Sequence, residues 1–250
     1  MSTPAGARVA LVTGGAQRIG AAIVRTLHAS GCRLLIHCRQ SREAAMALAT
    51  ELNLTRADSC AVLEAQLCDP AAVLQLAQQA DARWGRIDLL VNNASDFFAT
   101  PLGSVGVDEW NRIFGSNLQG PFFLSQALAP ALARAQGAIV NIVDVHATLP
   151  LAQHAVYTMA KAGLAMMTRA LALELAPAVR VNGVAPGAIL WPAQPNPELS
   201  AENAAQLLAQ TALRRIGEPA DIAGAVRYLG LDAPYVTGQI LAVDGGRSLF

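Results

Sequence analysis

A tyrosine and the chain's only lysine lie four residues apart, Tyr157 and Lys161, in the strongly helical stretch VYTMAKAGLAMMTRALALEL. Side chains four apart on a helix lie on one face, so the two can act together. An ammonium beside a phenol favours the phenolate, and we expect it to lower the pKa of Tyr157 towards neutrality, where a tyrosine can exchange protons. Every other basic residue is arginine, which indicates that this position needs a compact ammonium. The spacing alone also recurs by chance on exposed helices.

A second candidate for chemistry is the segment TGGAQRIG, which directly follows the first predicted strand and opens the first predicted helix. Gly14 permits a tight turn, Gly20 permits close packing of helix on sheet, and the amides at the helix start can bind a pyrophosphate. This context favours a dinucleotide-binding loop over a turn without a ligand.

The second predicted strand runs into His37-Cys38-Arg39-Gln40-Ser41-Arg42, with no acidic residue before Glu43. An NAD site needs an acidic residue near this point for the ribose 2'-hydroxyl. Arg39, helped by Ser41 and Arg18, instead suits the additional phosphate of NADP through charge-assisted hydrogen bonds. We therefore predict NADP(H) as the cofactor.

Polar residues also follow later predicted strands. Asn92-Asn93-Ala94-Ser95 ends the fourth strand, Asp144 the fifth and Pro186-Gly187 the sixth, and sites in α/β sheets lie at these carboxyl ends. Asn117 lies in mid-helix, where asparagine is a poor helix former, which predicts a polar role inside the protein. Two nearby histidines, His146 and His154, could line the same site, although their positions are more typical of surface loops.

These residues require a framework of alternating strands and helices, which the hydrophobic patterning predicts. The predicted strands are 8–12, 33–37, 61–65, 88–92, 138–143, 180–184 and 239–243, and the predicted helices are 19–30, 42–52, 70–84, 107–133, 155–175 and 221–229. This order predicts an α/β, single-domain Rossmann fold over residues 1–250, with a seven-stranded parallel sheet and helices on both faces. The Pro-rich stretch 186–197 favours a substrate lid around 188–212, although a plain surface loop is the alternative.

Composition excludes several classes of function. Of the 250 residues 53% are hydrophobic and 14% charged, which is typical of a folded chain. Net charge is zero and no basic run occurs, so we expect no nucleic-acid partner. No apolar run reaches the ~20 residues of a bilayer span, and the start MSTPAGAR lacks the pattern of a secretory signal, so we expect a cytoplasmic protein without a membrane partner. The spacing of the cysteines predicts free thiols and no metal site; they are Cys32, Cys38, Cys60 and Cys68.

Taken in order, the motifs resemble those of the short-chain dehydrogenase/reductase family over essentially the whole chain. They are TGGAQRIG, VNNAS, GSNL, YTMAK, RVN, PG, VTG and VDGG. The resemblance implies hydride transfer from a nicotinamide, with Tyr157 as acid/base, Lys161 holding the ribose and tuning Tyr157, and Asn117 supporting a water-linked proton path. It also implies a homotetramer. The predicted cofactor contacts are Gly14, Arg18, Ile19, Gly20, His37, Arg39, Gln40, Ser41, Gln66, Leu67, Asn93, Ala94, Ser95, Tyr157, Lys161, Pro186 and Gly187.

The chain departs from the general family pattern at three places. Asp144 stands thirteen residues before the tyrosine, where most members carry a serine; Arg18 replaces a usual glycine; and Gln66 stands where an aspartate often meets the adenine. The first two departures, and the segment NASDFFATP, resemble the pteridine reductases. That resemblance implies that Phe97 stacks a pteridine against the nicotinamide and that Ser95 and Arg18 contact cofactor or substrate.

Reduction of a C=N bond needs a proton on the ring nitrogen, and a partly enclosed carboxyl with a raised pKa could share the proton that Tyr157 delivers. The alternative role for Asp144 is a strand-end cap. The predicted substrate contacts are Arg18, Ser95, Phe97, Asp144, Tyr157 and Trp191, of which Trp191 would close the lid or simply pack. The sequence thus predicts an NADPH-dependent pteridine reductase acting on dihydropterins and, as a further substrate, dihydrofolate. The alternatives are a carbonyl or enoyl reductase of the same family, or a non-catalytic NADP-binding sensor.

Overall fold

A computed structural model describes residues 6–189 and 201–250, which form a sheet of seven parallel strands. The strand order is β3-β2-β1-β4-β5-β6-β7. The strands are β1 (Val9–Val12), β2 (Arg33–Cys38), β3 (Cys60–Glu64), β4 (Leu89–Asn92), β5 (Ala138–Ile142), β6 (Arg180–Pro186) and β7 (Ile240–Val243). The predicted Rossmann fold is confirmed.

Helices cover both faces of this sheet. They are α1 (Arg18–Ala29), α2 (Arg42–Thr55), α3 (Pro70–Trp84), α4 (Val107–Phe114), α5 (Gly120–Ala135), α6 (Ala155–Glu174), α7 (Ala201–Ala209) and α8 (Pro219–Arg227). One apolar layer joins the sheet to α1, α2 and α8, and a second layer joins it to α3, α5 and α6. Central strands β1 and β4 are buried along their whole length, because apolar side chains on both faces meet a helical layer. None of the described helices is long and apolar enough to cross a membrane.

The largest difference from the sequence expectation lies in the predicted helix 107–133. A π-helical turn, Gly115–Gln119, separates α4 from α5. Pro121 has no amide to donate to the carbonyl of Asn117 four residues earlier, and the Asn117 amide group itself donates to the Ile113 carbonyl at 3.0 Å. These features replace regular α-helical hydrogen bonding here, so the predicted helix is present over 107–135 but contains a π-helical turn that we did not predict.

The other boundaries shift by a few residues, and Pro186, predicted to begin an irregular stretch, is the last residue of β6. Helix α7 falls within the segment 188–212 that we predicted as a lid and had not assigned to a helix. Residues 190–200, including Trp191, lie outside the described residues.

The order of the strands determines where a ligand can lie. From β1 the chain passes through α1 to β2 and β3 on one side, whereas β4 to β7 extend on the other side. The crossover connections therefore diverge between β1 and β4 and leave a crevice at the carboxyl ends of the strands.

Candidate active site

A cavity of about 940 Å³ opens at the carboxyl ends of the strands, within the size range of small-molecule sites. The loops after β1, β2, β3, β4, β5 and β6 all contribute to its lining. Predicted site residues that line it are Gly14, Arg18, Ile19, Gly20, Arg39, Gln40, Ser41, Gln66, Leu67, Asn93, Ala94, Ser95, Phe97, Asp144, Tyr157, Lys161, Pro186 and Gly187. The fold thus brings distant parts of the sequence together: the first and last of these residues, Gly14 and Gly187, are 173 positions apart.

The glycine-containing loop after β1 has a backbone that few residue types allow. Gly14 has a φ of +61°, and a Cβ on Gly20 would collide with the carbonyl oxygen of Gly14. Arg18 also has a positive φ, 52°, at the position where the family usually has glycine. An arginine in the left-handed region carries backbone strain, which is typical of functional sites.

His37 does not face the cavity as we predicted for a cofactor contact. Its side chain is 1% exposed beneath the loop, where Nδ1 accepts a hydrogen bond from the Gly14 amide at 3.2 Å and Nε2 donates to the Ala65 carbonyl at 3.1 Å. Burial lowers the pKa of His37 to about 4, which keeps the ring neutral at pH 7. The prediction is therefore corrected: His37 supports the loop from below.

Asn93 braces the same loop from the end of β4. Its amide group donates to the carbonyls of Thr13 at 2.9 Å and Gly14 at 3.1 Å. The Thr13 hydroxyl accepts hydrogen bonds in return from the amides of Asn93 and Ala94. The two strand ends on either side of the crevice are thereby fixed to each other.

Arg39, the residue predicted to bind the cofactor's additional phosphate, is paired with Asp96. Its Nη1 donates to the Asp96 carboxylate at 2.9 Å, and Arg112 donates to the same carboxylate at 3.1 Å. Burial raises the pKa of Asp96, but the hydrogen bonds from Arg112 and Arg39 outweigh this effect, so the pKa lies below its usual value. Asp96 is therefore an anion, and a phosphate on Arg39 would compete with it.

Tyr157 donates a hydrogen bond to Oδ2 of Asp144 over 2.7 Å, and its ring is 5.6 Å from Nζ of Lys161. Burial, the negative charge of Asp144 and the hydrogen bond to it all raise the pKa of Tyr157. The expectation of a lowered pKa is wrong for this geometry, because the nearest charge is a carboxylate rather than the ammonium. Tyr157 is accordingly a protonated phenol at neutral pH.

Lys161 lies below Tyr157 with 2% of its surface exposed, and Nζ donates to the carbonyl of Ile142 at 2.9 Å. Burial lowers the pKa of Lys161 to about 8, against the opposing effect of the Asp144 charge. The ammonium is therefore retained at neutral pH and points towards the end of β5.

Asp144 combines the two roles that the sequence left open. Oδ1 accepts from the amide of His146 at 2.9 Å and caps the short 3-10 helix Val145–Ala147, while Oδ2 faces Tyr157. The cap fixes the orientation of the carboxyl, so one oxygen is held in the cavity beside the phenol.

Asn117 is buried in the π turn behind the cavity wall. Its Oδ1 accepts from the Ser95 hydroxyl at 2.7 Å and its Nδ2 donates to the carbonyl of Asp96 at 2.9 Å. Asn117 thus holds the loop after β4 in place, and its part in a water-linked proton path stays a prediction.

Phe97 is 57% exposed and contributes an aromatic wall to the cavity. Its ring stacks on His154, with centroids 4.6 Å apart, and meets Tyr157 edge-on at 4.8 Å. His154 is the residue immediately before α6, with a non-helical backbone, and it lies in the loop that leads into the helix. A loop position agrees with the sequence expectation for His154, but the stacking on Phe97 could not be read from the sequence.

A family model described as enoyl-(acyl carrier protein) reductase matches residues 14–248. The chain belongs to the short-chain dehydrogenase/reductase family. Family membership makes it an oxidoreductase.

Relatives in this family cover nearly the whole chain. Pteridine reductase 1 of Leishmania tarentolae is 35% identical over 100% of this chain and 99% of its own length. A 3-oxoacyl-[acyl-carrier-protein] reductase of Synechocystis sp. is 36% identical over 98% of both chains. Among solved structures, a blue fluorescent protein from a metagenomic library in complex with NADPH is 39% identical, with a TM-score of 0.86 over 96% of this chain and 97% of that one.

Several cavity residues of this short-chain dehydrogenase/reductase were not predicted. Asp96 gave no signal, because its partner Arg39 lies 57 residues earlier and only the fold brings them together. His146, for which the sequence left a pocket-lining role and a surface-loop role open, lines the cavity next to the capping carboxyl. Arg247 and Leu207 line it from the C-terminal part of the chain, outside every motif that we recognised. Among the described residues, no group of three or more His, Cys, Asp or Glu side chains could hold a metal ion.

Proposed function

We propose that this protein is an NADPH-dependent pteridine reductase that reduces a C=N bond of dihydropterins and of dihydrofolate to give the tetrahydro form. The observation that carries the proposal is the 2.7 Å hydrogen bond from Tyr157 to Asp144 at the position of the usual family serine. A serine hydroxyl can hold a carbonyl oxygen, whereas a carboxyl next to a tyrosine forms a proton-donating pair.

The crevice suits a phosphorylated dinucleotide. The missing Cβ at Gly20 leaves the loop close to the first amides of α1, which can bind a pyrophosphate. Arg39 and Ser41 would hold the additional phosphate, and Lys161 the nicotinamide ribose. When bound, NADPH supplies the hydride. The NADPH in the complex of the 39% identical blue fluorescent protein supports this choice.

Proton delivery falls to Tyr157. Because its pKa is raised, it remains protonated at neutral pH and acts as a donor to a ring nitrogen. The single phenol proton, which Tyr157 donates to Asp144 in this structure, would pass to the ring nitrogen instead, and the nearby positive charge of Lys161 would stabilise the phenolate that remains. Phe97 presents a flat aromatic surface beside this pair, which suits a planar heterocycle.

The second candidate is a carbonyl or enoyl reductase. The family model described as enoyl-(acyl carrier protein) reductase and the 36% identical 3-oxoacyl relative favour it. The 35% identical pteridine reductase 1 favours the first candidate. Because sequence identity to relatives does not separate the two candidate functions, we base our choice on Asp144.

The test follows NADPH absorbance with dihydrobiopterin, dihydrofolate and a panel of ketones and 3-oxoacyl thioesters. Wild-type protein is expected to reduce the pterins, and Asp144→Ser to lose at least 100-fold in kcat/KM for them, about the contribution of one proton-transfer group. Pterin reduction that survives Asp144→Ser would contradict the proposed role of the carboxyl. Preference for the thioesters would favour the second candidate, and NADPH binding without consumption would favour a sensor.

We also propose that residues 1–250 form a single domain and that the segment 188–212 acts as a substrate lid. The cytoplasmic location expected from the sequence stays a prediction.

A further inference from the structure

Arg247 lines the same cavity, yet nothing in the proposed reaction uses it. It is the first residue of a short 3-10 helix, Arg247–Leu249, four positions after the end of β7. Its Nη1 atom is buried and makes no hydrogen bond within the described part of the chain. A buried guanidinium nitrogen without an acceptor is costly, and in a functional cavity it indicates a missing ligand group.

Among the described side chains, the two carboxylates that line the cavity already accept hydrogen bonds. Asp96 pairs with Arg39 and Arg112, and Asp144 accepts from Tyr157 and from the His146 amide. Asp244, the acidic residue nearest in sequence, accepts from the amides of Gly246 and Ser248. Among the side chains that the structure describes, at 6–189 and 205–250, no carboxylate lies within 4.0 Å of Arg247, so the unpartnered Nη1 is placed to meet an anion in the cavity.

Arg247 lies on the substrate side of the cavity. The strand order puts β7 and β6 at one end of the sheet, and β2, which carries Arg39 at its carboxyl end, beyond β1 towards the other. The segment after β7 packs directly on the loop after β6, since a Cβ on Gly187 would lie 2.7 Å from Cα of Asp244. Arg247 is therefore remote from the proposed phosphate site of the cofactor and close to the loops that flank Tyr157.

We infer that Arg247 is a specificity-determining residue that binds a carboxylate on the substrate. A guanidinium forms two parallel hydrogen bonds with a carboxylate, a strong and directional contact. On the proposed function, on which this inference rests, Arg247 selects pterins with an acidic side chain, the class of dihydrofolate, over neutral dihydropterins such as dihydrobiopterin.

The test compares Arg247→Gln and Arg247→Lys with wild type, using dihydrofolate and dihydrobiopterin. Arg247→Gln is expected to raise KM for dihydrofolate about 10-fold or more, as for the loss of a hydrogen bond to a charged group. KM for dihydrobiopterin and for NADPH should stay unchanged, and Arg247→Lys should recover part of the loss. Arg134→Gln is the matched control, because Arg134 pairs with Asp81 at an exposed site outside the cavity.

An unchanged KM for dihydrofolate would overturn the inference, as would equal losses for both pterins or a raised KM for NADPH. Equilibrium titration of the NADP complex with folate and with biopterin gives the same comparison without turnover. If wild-type protein reduces ketones but no pterin, the proposed function fails, and a keto acid measured against its amide then tests Arg247 by itself. Loss of the preference for the acid in Arg247→Gln would support the inference, and no preference in wild type would reject it.

Discussion

The charge of Lys161 sets an upper limit on the working pH. Burial lowers the pKa of this ammonium to about 8, whereas the pKa of Tyr157 is raised, so the lysine loses its proton first as pH rises. We expect kcat/KM for the pterin substrate to be level below pH 8 and to fall above it, because the neutral amine no longer stabilises the negative charge that remains on the Tyr157 oxygen when its proton leaves. Rate profiles from pH 6 to 10 measure this. If kcat/KM falls only near pH 10, a group other than Lys161 causes the decrease.

The same burial makes Lys161 a destabilising residue. Its pKa is about 8 in the folded protein against 10.5 in the unfolded chain, so the unfolded state binds more protons between these values. The free energy of unfolding should therefore rise with pH through this window, and the penalty is fully present below it. We expect Lys161→Met to be inactive but to melt higher than wild type at pH 7, by about 2 to 4 °C for each kcal/mol gained.

Thermal melts of both proteins at pH 7 and pH 10.5 measure this gain. The difference in melting temperature should shrink at the higher pH, where the wild-type lysine is neutral in either state. A lower melting temperature for Lys161→Met at pH 7 would show that the bond to the Ile142 carbonyl contributes more than burial of the charge costs.

Arg39 should determine the choice between NADPH and NADH. Its guanidinium is paired with Asp96 and must exchange this carboxylate for the additional phosphate. We expect Arg39→Ala to raise KM for NADPH about 10-fold or more, the range for hydrogen bonds to charged groups, and to leave KM for NADH nearly unchanged. Arg42→Ala is the control, because Arg42 pairs with Glu64 at an exposed site. Equal losses with both cofactors would contradict the assignment.

At the residue scale, sequence reasoning succeeded where a motif fixes a local backbone or a helical spacing. Gly14, Gly20, Tyr157 and Lys161 belong to this class. It could not supply the direction of the Tyr157 pKa shift, because that depends on how closely Asp144, after the end of β5, approaches Tyr157 on α6.

At the scale of elements, the π turn after α4 is a feature that controls the site. It packs against the loop after β3, where a Cβ on Gly115 would lie 2.7 Å from Sγ of Cys68. We expect Gly115→Ala to cost about 1 to 3 kcal/mol of stability, the usual range for overpacking, and to lower activity, because Asn117 in this turn holds Ser95 and Asp96.

Thermal or denaturant unfolding of Gly115→Ala checks the stability loss. Gly224→Ala in α8 is the matched control, since a Cβ there meets nothing within 4 Å, and it should be neutral or stabilising. If both variants unfold alike, the close packing of the turn is not what constrains Gly115.

Most elements could be predicted because each buried strand is a short apolar run bounded by turn residues. The π turn could not be predicted, since one additional residue in a helix hardly changes its hydrophobic periodicity. Helix α7 was hidden by the prolines that precede it, which favoured an irregular segment.

At the scale of the whole molecule, exposed apolar surface favours the homotetramer expected from the family. Large apolar side chains are exposed on α4, α5 and α6, among them Trp110, Phe122, Phe123 and Met166. A separate surface is formed by β7, whose outer edge pairs with no other described strand and whose Leu241 is exposed. If each of these two surfaces pairs with its own copy about a twofold axis, the assembly is a tetramer rather than a dimer.

We therefore expect light scattering to give four times the chain mass of 26.1 kDa. Phe123→Glu should yield smaller assemblies with an intact fold, because a carboxylate cannot be buried between apolar faces without a partner. Leu54→Glu on α2 is the control, since Leu54 is exposed on another helix and outside both surfaces. A wild-type protein with the mass of one chain would contradict the tetramer. If Phe123→Glu still forms a tetramer, the interface does not include Phe123 on α5.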